Sequence, residues 1–178
     1  MEEFSFVVST IALCLYVLSD FVNSKKYYLM LQLSGNVFLA LSYLLIGSYF
    51  TMVAVVIGIA RGLICYIYEK KDKQVPIYLI VGLCLASISG YVIINHIVLS
   101  QSSVWDVLYL FSSCMYAVTF SIRNIRVMRC LVLIPHASAV AYNLLIHAPI
   151  SSALSYGLEF AVTVAAIIKY DVLKRKAE

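Results

Sequence analysis

Residues 43–48 read YLLIGS and residues 143–148 read NLLIHA, so Leu44, Leu45 and Ile46 recur as Leu144, Leu145 and Ile146 at an offset of 100. Aliphatic letters recur easily in an apolar chain, so the repeat carries weight only where other chemistry keeps the same spacing. Cys14 matches Cys114, Tyr16 matches Tyr116, Ser19 matches Thr119 and Lys26 matches Arg126. Two halves of one plan are expected.

The surrounding composition sets where those halves sit. Hydrophobic residues make up 63% of the 178 and charged residues 12%, against roughly 25% charged in a soluble domain, and the mean hydropathy is +0.95. Seven apolar stretches, 4–23, 29–47, 49–68, 77–97, 104–122, 128–147 and 150–169, approach 20 residues each, enough to cross ~30 Å of hydrocarbon. In lipid the backbone must satisfy its own polar groups, and runs this long do not alternate as barrel strands do, so each is expected to be a helix. The lipid bilayer is the first partner implied. The chain opens with Glu2 and Glu3 rather than a basic region, and no small-residue cleavage site follows, so the first run is expected to be a permanent span.

Basic residues mark the connections. Lys25 and Lys26 follow span one, Lys70, Lys71 and Lys73 follow span three, Arg123, Arg126 and Arg129 follow span five, and Lys169, Lys174, Arg175 and Lys176 close the chain. Twelve of the thirteen basic residues thus fall on one side of a seven-helix arrangement, and the positive-inside bias makes that side cytoplasmic. The amino terminus is expected outside and the carboxyl terminus inside. The net charge of +4 reports this topology, and no nucleic acid is implied. The five cysteines have no C-x-x-C pairing and read as small apolar residues.

With the offset of 100, spans one to three and five to seven become parallel three-helix repeats, and the fourth span restores their common orientation. The expected organisation is a first repeat with its inner loop over 1–75, a linker helix over 76–103, and a second repeat with a cytoplasmic tail over 104–178. This 3+1+3 plan resembles the SWEET-type sugar transporters, and also the nicotinamide-riboside transporters and KDEL receptors of the same architecture. SWEET-like chains carry Pro-Gln in the first two helices of each repeat, whereas here LQLSGN has Gln32 without proline and spans one, two, five and six hold only Pro135. Pro135 and its counterpart Gly35 become the candidate hinge points. The sequence is also similar to the YgjV-type bacterial inner-membrane family, through Leu45, Gly47 and Tyr49 in a Leu-x-Gly-x-Tyr turn, Arg61, the run Met128, Arg129, Cys130, and Asn143. That resemblance implies the bacterial cytoplasmic (inner) membrane and assigns no activity.

An ionisable side chain at mid-bilayer costs at least ~2.5–3.5 kcal/mol and usually faces the bundle interior or a water-filled cavity. Arg61, about twelve residues or ~18 Å into span three, and Glu159, about nine residues into span seven, lie at similar depth in equivalent helices. An ion pair or shared water network between them is expected, as a structural lock or as part of a site. Asn36 and His136, equivalent across the repeat, form a second candidate pair, and Asn143 is a weaker one. Asp20 and Asp106 fall near span ends, where water is expected to reach them. Gly58 and Gly62 suit close helix packing. Tyrosines near span ends, among them Tyr27, Tyr28 and Tyr109, read with Trp105 as interfacial anchors.

No nucleophile elbow, H-E-x-x-H or phosphate loop occurs, and His96 and His147 have no second ligand nearby in sequence. The expectation is a protein that is not an enzyme and uses no cofactor and no metal. It would move a small polar solute, such as a sugar, nucleoside or vitamin-like molecule, by alternating access. Arg61, Glu159, Asn36, His136 and Asn143 would bind the solute. The alternative is a non-transporting receptor or scaffold on the same frame, with its basic inner loops as docking surfaces. Two fused halves can complete a pathway in one chain, which leaves a homo-oligomer open but not required.

Overall fold

The computed structural model describes residues 2–46, 49–93, 104–145 and 150–173. The described residues form helices and no strand: α1 (Glu2–Asp20), α2 (Lys25–Ile46), α3 (Tyr49–Lys70), α4 (Ile77–Val92), α5 (Asp106–Ser121), α6 (Ile125–Leu145) and α7 (Ile150–Ile167), the last continued by a π-helical turn (Ile168–Leu173). The stretches Lys25–Leu45 and Ile125–Leu145 are each long and apolar enough to cross a membrane unaided, while Phe4–Asp20 and Ile77–Val92 are apolar but shorter. The expected outer turns at Gly47, Ser48, His147 and Ala148, the outer end of the fourth span with His96, and Lys174, Arg175 and Lys176 lie outside the described residues.

The helix starts differ from the apolar runs in an informative way. Spans two and six were bounded by hydropathy at 29 and 128, yet α2 begins at Lys25 and α6 at Ile125. Local hydrogen bonding explains this better than hydropathy does. Asn124 Oδ1 accepts from the backbone N–H of Arg126 (3.0 Å) and Val127 (3.4 Å), the capping geometry that an Asn before a first turn provides. The Ser24 carbonyl takes the Tyr28 N–H at 2.9 Å and the Asn124 carbonyl takes the Met128 N–H at 2.9 Å. Lys25, Lys26, Arg126 and Arg129 therefore belong to helices rather than to connections. Pro76 precedes α4 with an extended backbone (φ −63°, ψ 144°), where its missing N–H costs nothing.

Packing has the same order in both halves: α1 lies against α2 and α2 against α3, α5 against α6 and α6 against α7. Between them, α1 meets α7 and α3 meets α5, contacts that interchange when the halves are exchanged, while α4 bridges α3 and α5. Where α2 and α6 begin, Tyr28, Leu29, Cys65, Val75, Phe120, Met128 and Val132 form the apolar core. Tyr28, expected as an interfacial anchor, is instead fully buried and meets the Phe120 ring edge-on at 5.9 Å. Tyr109 likewise stacks between Tyr91 and Tyr142. Tyr27 and Trp105 do stand exposed.

Burial is otherwise inverted relative to a soluble protein. Sixteen buried described residues are polar or charged, including Asp20, Arg129, His136, Glu159 and Thr163, against fifteen apolar ones, while Phe4, Phe6, Ile77, Val107 and Leu144 are exposed. Cys14 and Cys130 are exposed and only Cys65 is buried, so the cysteines are not uniformly core residues. Such a surface is compatible with lipid, which solvates apolar side chains at no cost.

Of Gly35, Gly58 and Gly62, only Gly35 on α2 is required by a close approach. A Cβ at Gly62 would meet Leu33 of α2 at 3.6 Å, and one at Gly58 would meet Asn36 at 3.6 Å, so the Gly58/Gly62 face packs on α2. At Gly35 a Cβ would lie 2.5 Å from Tyr16 Cε1. This gives Gly35 a packing reason. Gly35→Ala is expected to destabilise the purified protein by about 1–3 kcal/mol through overpacking, with Gly82→Ala, where nothing lies within 4 Å, as the neutral comparison in a thermal melt.

Candidate functional site

The candidate residues gather where the middles of five helices meet. Asn36 and His136 both lie eleven residues into α2 and α6, and each is engaged by the tyrosine of the preceding sequence helix. Tyr16 Oη donates to Asn36 Oδ1 at 3.1 Å, and Tyr116 Oη lies 2.8 Å from His136 Nδ1. Both partners are spaced by twenty residues and the two bonds by one hundred. Asn36 and His136 thus occupy equivalent places, each held by its own tyrosine.

Glu159 of α7 reaches the second of these bonds, with Oε2 3.5 Å from His136 Nδ1. Both side chains are buried. A bare Nδ1 accepts from the Tyr116 hydroxyl, whereas a protonated Nδ1 can donate to the carboxylate, so the position of one proton decides which contact is made.

The direct Arg61–Glu159 ion pair does not form. Arg61 Nη1 donates to the Ser113 carbonyl at 3.2 Å, and the guanidinium carbon stands 5.1 Å from the Tyr116 ring centre and 5.5 Å from that of Phe120. Tyr116 therefore stands between the two charged residues, with its ring under Arg61 and its hydroxyl on His136. A cation over two ring faces gains about 0.5–2 kcal/mol, a partial substitute for the missing carboxylate. The remaining sites are quieter. Asn143 Nδ2 donates to the Ala139 carbonyl at 2.7 Å within its own helix, which accounts for its polarity locally. Pro135 sits inside α6, and its carbonyl accepts from Ser112 Oγ at 3.0 Å.

Sequence reasoning missed a second polar cluster. Asp20, expected near water, is 1% exposed, and its Oδ2 accepts from Thr163 Oγ1 at 3.0 Å. Thr163 Oγ1 also lies 2.8 Å from the Glu159 carbonyl. Arg129, counted among the topology charges, is fully buried: Nη2 donates to the Val22 carbonyl at 2.6 Å and to Asn23 Oδ1 at 3.3 Å, under the Tyr170 ring at 5.4 Å. Asp106 is buried as well, and Tyr142 Oη donates to it at 3.4 Å. The available signal was the offset itself, because Asp20 faces Phe120 and Leu29 faces Arg129 across it, and all four are buried. Among the described residues no three His, Cys, Asp or Glu side chains converge as a metal site would require.

Helices with apolar exteriors around a buried layer of charged and hydroxyl side chains define a helical membrane protein. The chain belongs to the YgjV family of bacterial inner membrane proteins, whose model matches residues 3–173. No curated protein and no solved structure matches it.

Arg123, just before α6, and Arg129, in its second turn, make a direct check on burial. Arg129→Ala is expected to cost about 3–5 kcal/mol, because it empties a buried site and strands its partners. Arg123, whose ion pair with Asp72 is exposed, should cost less than about 1 kcal/mol when changed to Ala. Equal shifts of the melting midpoint would contradict the placement of Arg129.

Proposed function

We propose that this inner-membrane protein is a transporter rather than an enzyme. It would move a small polar solute between two three-helix halves, α1–α3 and α5–α7, that rock about the layer holding Asn36, Arg61, His136 and Glu159. One observation carries the reading: the tyrosine bonds Tyr16–Asn36 and Tyr116–His136 recur at an offset of one hundred residues, in the middle of helices that pack in the same order in each half. The interchangeable α1–α7 and α3–α5 contacts support it. So does the frame, which on this reading is the SWEET-like seven-helix plan with α4 as linker. The polar ends of Asn36, Arg61, His136 and Glu159 would meet the solute, with Tyr16 and Tyr116 as positioning residues. The basic residues would set the topology, amino terminus outside and carboxyl terminus in the cytoplasm.

A panel of sugars, nucleosides and vitamins screened by thermal stabilisation identifies ligands, since binding to the folded state raises its stability. Uptake of a ligand so identified, measured in proteoliposomes, then tests transport. Glu159→Gln and His136→Ala are expected to reduce uptake at least tenfold while the protein remains folded. Neutralising Arg123 and Arg126 together, with orientation retained, should leave uptake unchanged. Binding with no uptake of any identified ligand would overturn the transporter reading in favour of a receptor.

A further inference from the structure

The charges buried in the bundle are not evenly matched. Lys25 is paired with Glu69 at 2.9 Å, Glu159 faces His136, and Asp20 lies within the electrostatic reach of Arg129. Arg61 differs from all of these. Among the described residues, its one hydrogen bond is to a backbone carbonyl, its Nε is buried with no hydrogen-bond partner, and no carboxylate lies within ion-pair distance. A guanidinium so placed retains its charge but lacks the counter-ion that normally offsets desolvation.

The space beside its Nη2 is bounded by Gly58 of the same helix and by Asn36 of α2. Gly58 lies one helical turn before Arg61, and a Cβ built there would be 3.8 Å from Arg61 Nη2 and 3.6 Å from Asn36 Oδ1. Because Gly58 has no side chain, a notch about the size of a methyl group stays open beside Nη2. The guanidinium carbon stands near the Tyr116 and Phe120 rings and Nη1 is engaged by Ser113, which leaves the Nε and Nη2 edge, and that edge matches two oxygens of a planar or tetrahedral oxyanion.

We propose that the solute carries an oxyanion, a carboxylate or a phosphate, held in the notch beside Gly58 by the Nε and Nη2 edge of the Arg61 guanidinium. The assignment deepens the transporter reading but needs only binding at that site. The ligand supplies the negative charge that no described side chain provides, and solutes lacking it leave the guanidinium uncompensated. A neutral sugar is then a poor fit compared with an organic acid or a phosphorylated metabolite of similar size.

Thermal melts of the purified full chain in a chloride-based buffer test this with succinate, benzoate and inorganic phosphate, and with succinamide and benzamide as neutral counterparts of the two acids. At least one anion is expected to raise the melting midpoint by on the order of 3 °C at saturation, with no effect from the amides. Arg61→Met should abolish that response. Gly58→Ala, whose added Cβ makes only ordinary contacts, folds normally and should weaken the apparent affinity at least tenfold by filling the notch. Should Arg61→Met not fold, Gly58→Ala decides. Equal stabilisation by the amides, no response to any of the three anions, or an unchanged anion response in the decisive variant would each overturn the proposal. Anion binding through Arg61 with no uptake would leave it standing and remove the transporter reading instead.

Discussion

Hydrocarbon offers no hydrogen-bond partner, so every polar side chain in the interior of this bundle has to find one on another helix or on its own backbone. That constraint turns polar residues into connectors. Ser5 and Ser42 join α1 to α2 through a 2.7 Å hydroxyl contact, Ser112 joins α5 to the Pro135 carbonyl of α6, and Ser138 donates to the Leu108 carbonyl at 3.0 Å. Tyr16 and Tyr116 do the same at the middle of the helices. Apolar packing alone would not select these pairings, because lipid tails compete for apolar faces on equal terms.

The two halves share this scaffold and differ in what is bolted onto it. Where the first half has Asp20, the second has the ring of Phe120, and where the first has Leu29, the second has the guanidinium of Arg129. Those exchanges place Asp20 on Thr163 of α7 and Phe120 beside Arg61 of α3. One cross-half contact is therefore ionic and hydroxyl in character, and its counterpart is cationic and aromatic. A symmetric bundle would repeat the same chemistry in both halves; this one has the Arg61 guanidinium in one half and a histidine–carboxylate pair in the other.

Much of this architecture was legible before any coordinates. The apolar runs located the seven α-helices of the described residues, because each helix is built on a long hydrophobic segment. Their ends were less legible, since α2 and α6 begin at Lys25 and Ile125, the latter capped by the Asn124 side chain, while the first-turn lysines and arginines depress local hydropathy. The mid-helix residues Arg61, Glu159, Asn36 and His136 were also readable, as rare polar letters in apolar context. Their partners were not, because a side chain's contact depends on helix rotation and on which long neighbour intervenes. Tyr116 separates Arg61 from Glu159, and a tyrosine in an aromatic-rich chain carries no mark that distinguishes an interfacial ring from a buried hydroxyl donor. Arg129 was misread for a related reason: a basic cluster at a helix start looks uniform in sequence, yet rotation along the helix buries one member and exposes its neighbours. The repeated Leu44 and Leu144 proved equally uninformative about contacts, since both face outward.

Which contacts could change during a rocking motion follows from where each one lies. Tyr16–Asn36, Ser5–Ser42, Lys25–Glu69, Tyr116–His136 and Ser112–Pro135 all fall within one half, so a rigid-body movement of the halves leaves them intact. Asp20–Thr163, Arg129 with Val22 and Asn23, Arg61 with Ser113 and the Tyr116 ring, and Tyr28 with Phe120 run between halves. Any relative rotation must break or re-form members of this second set. Three of its four contacts end on an ionisable side chain, and the fourth packs beside Arg61. A ligand that compensates Arg61 therefore acts on the interface between the halves, and differential binding at that interface is the only means by which a solute can shift the balance between two arrangements. The same guanidinium that would recognise the solute would thus also report its arrival to the opposite half.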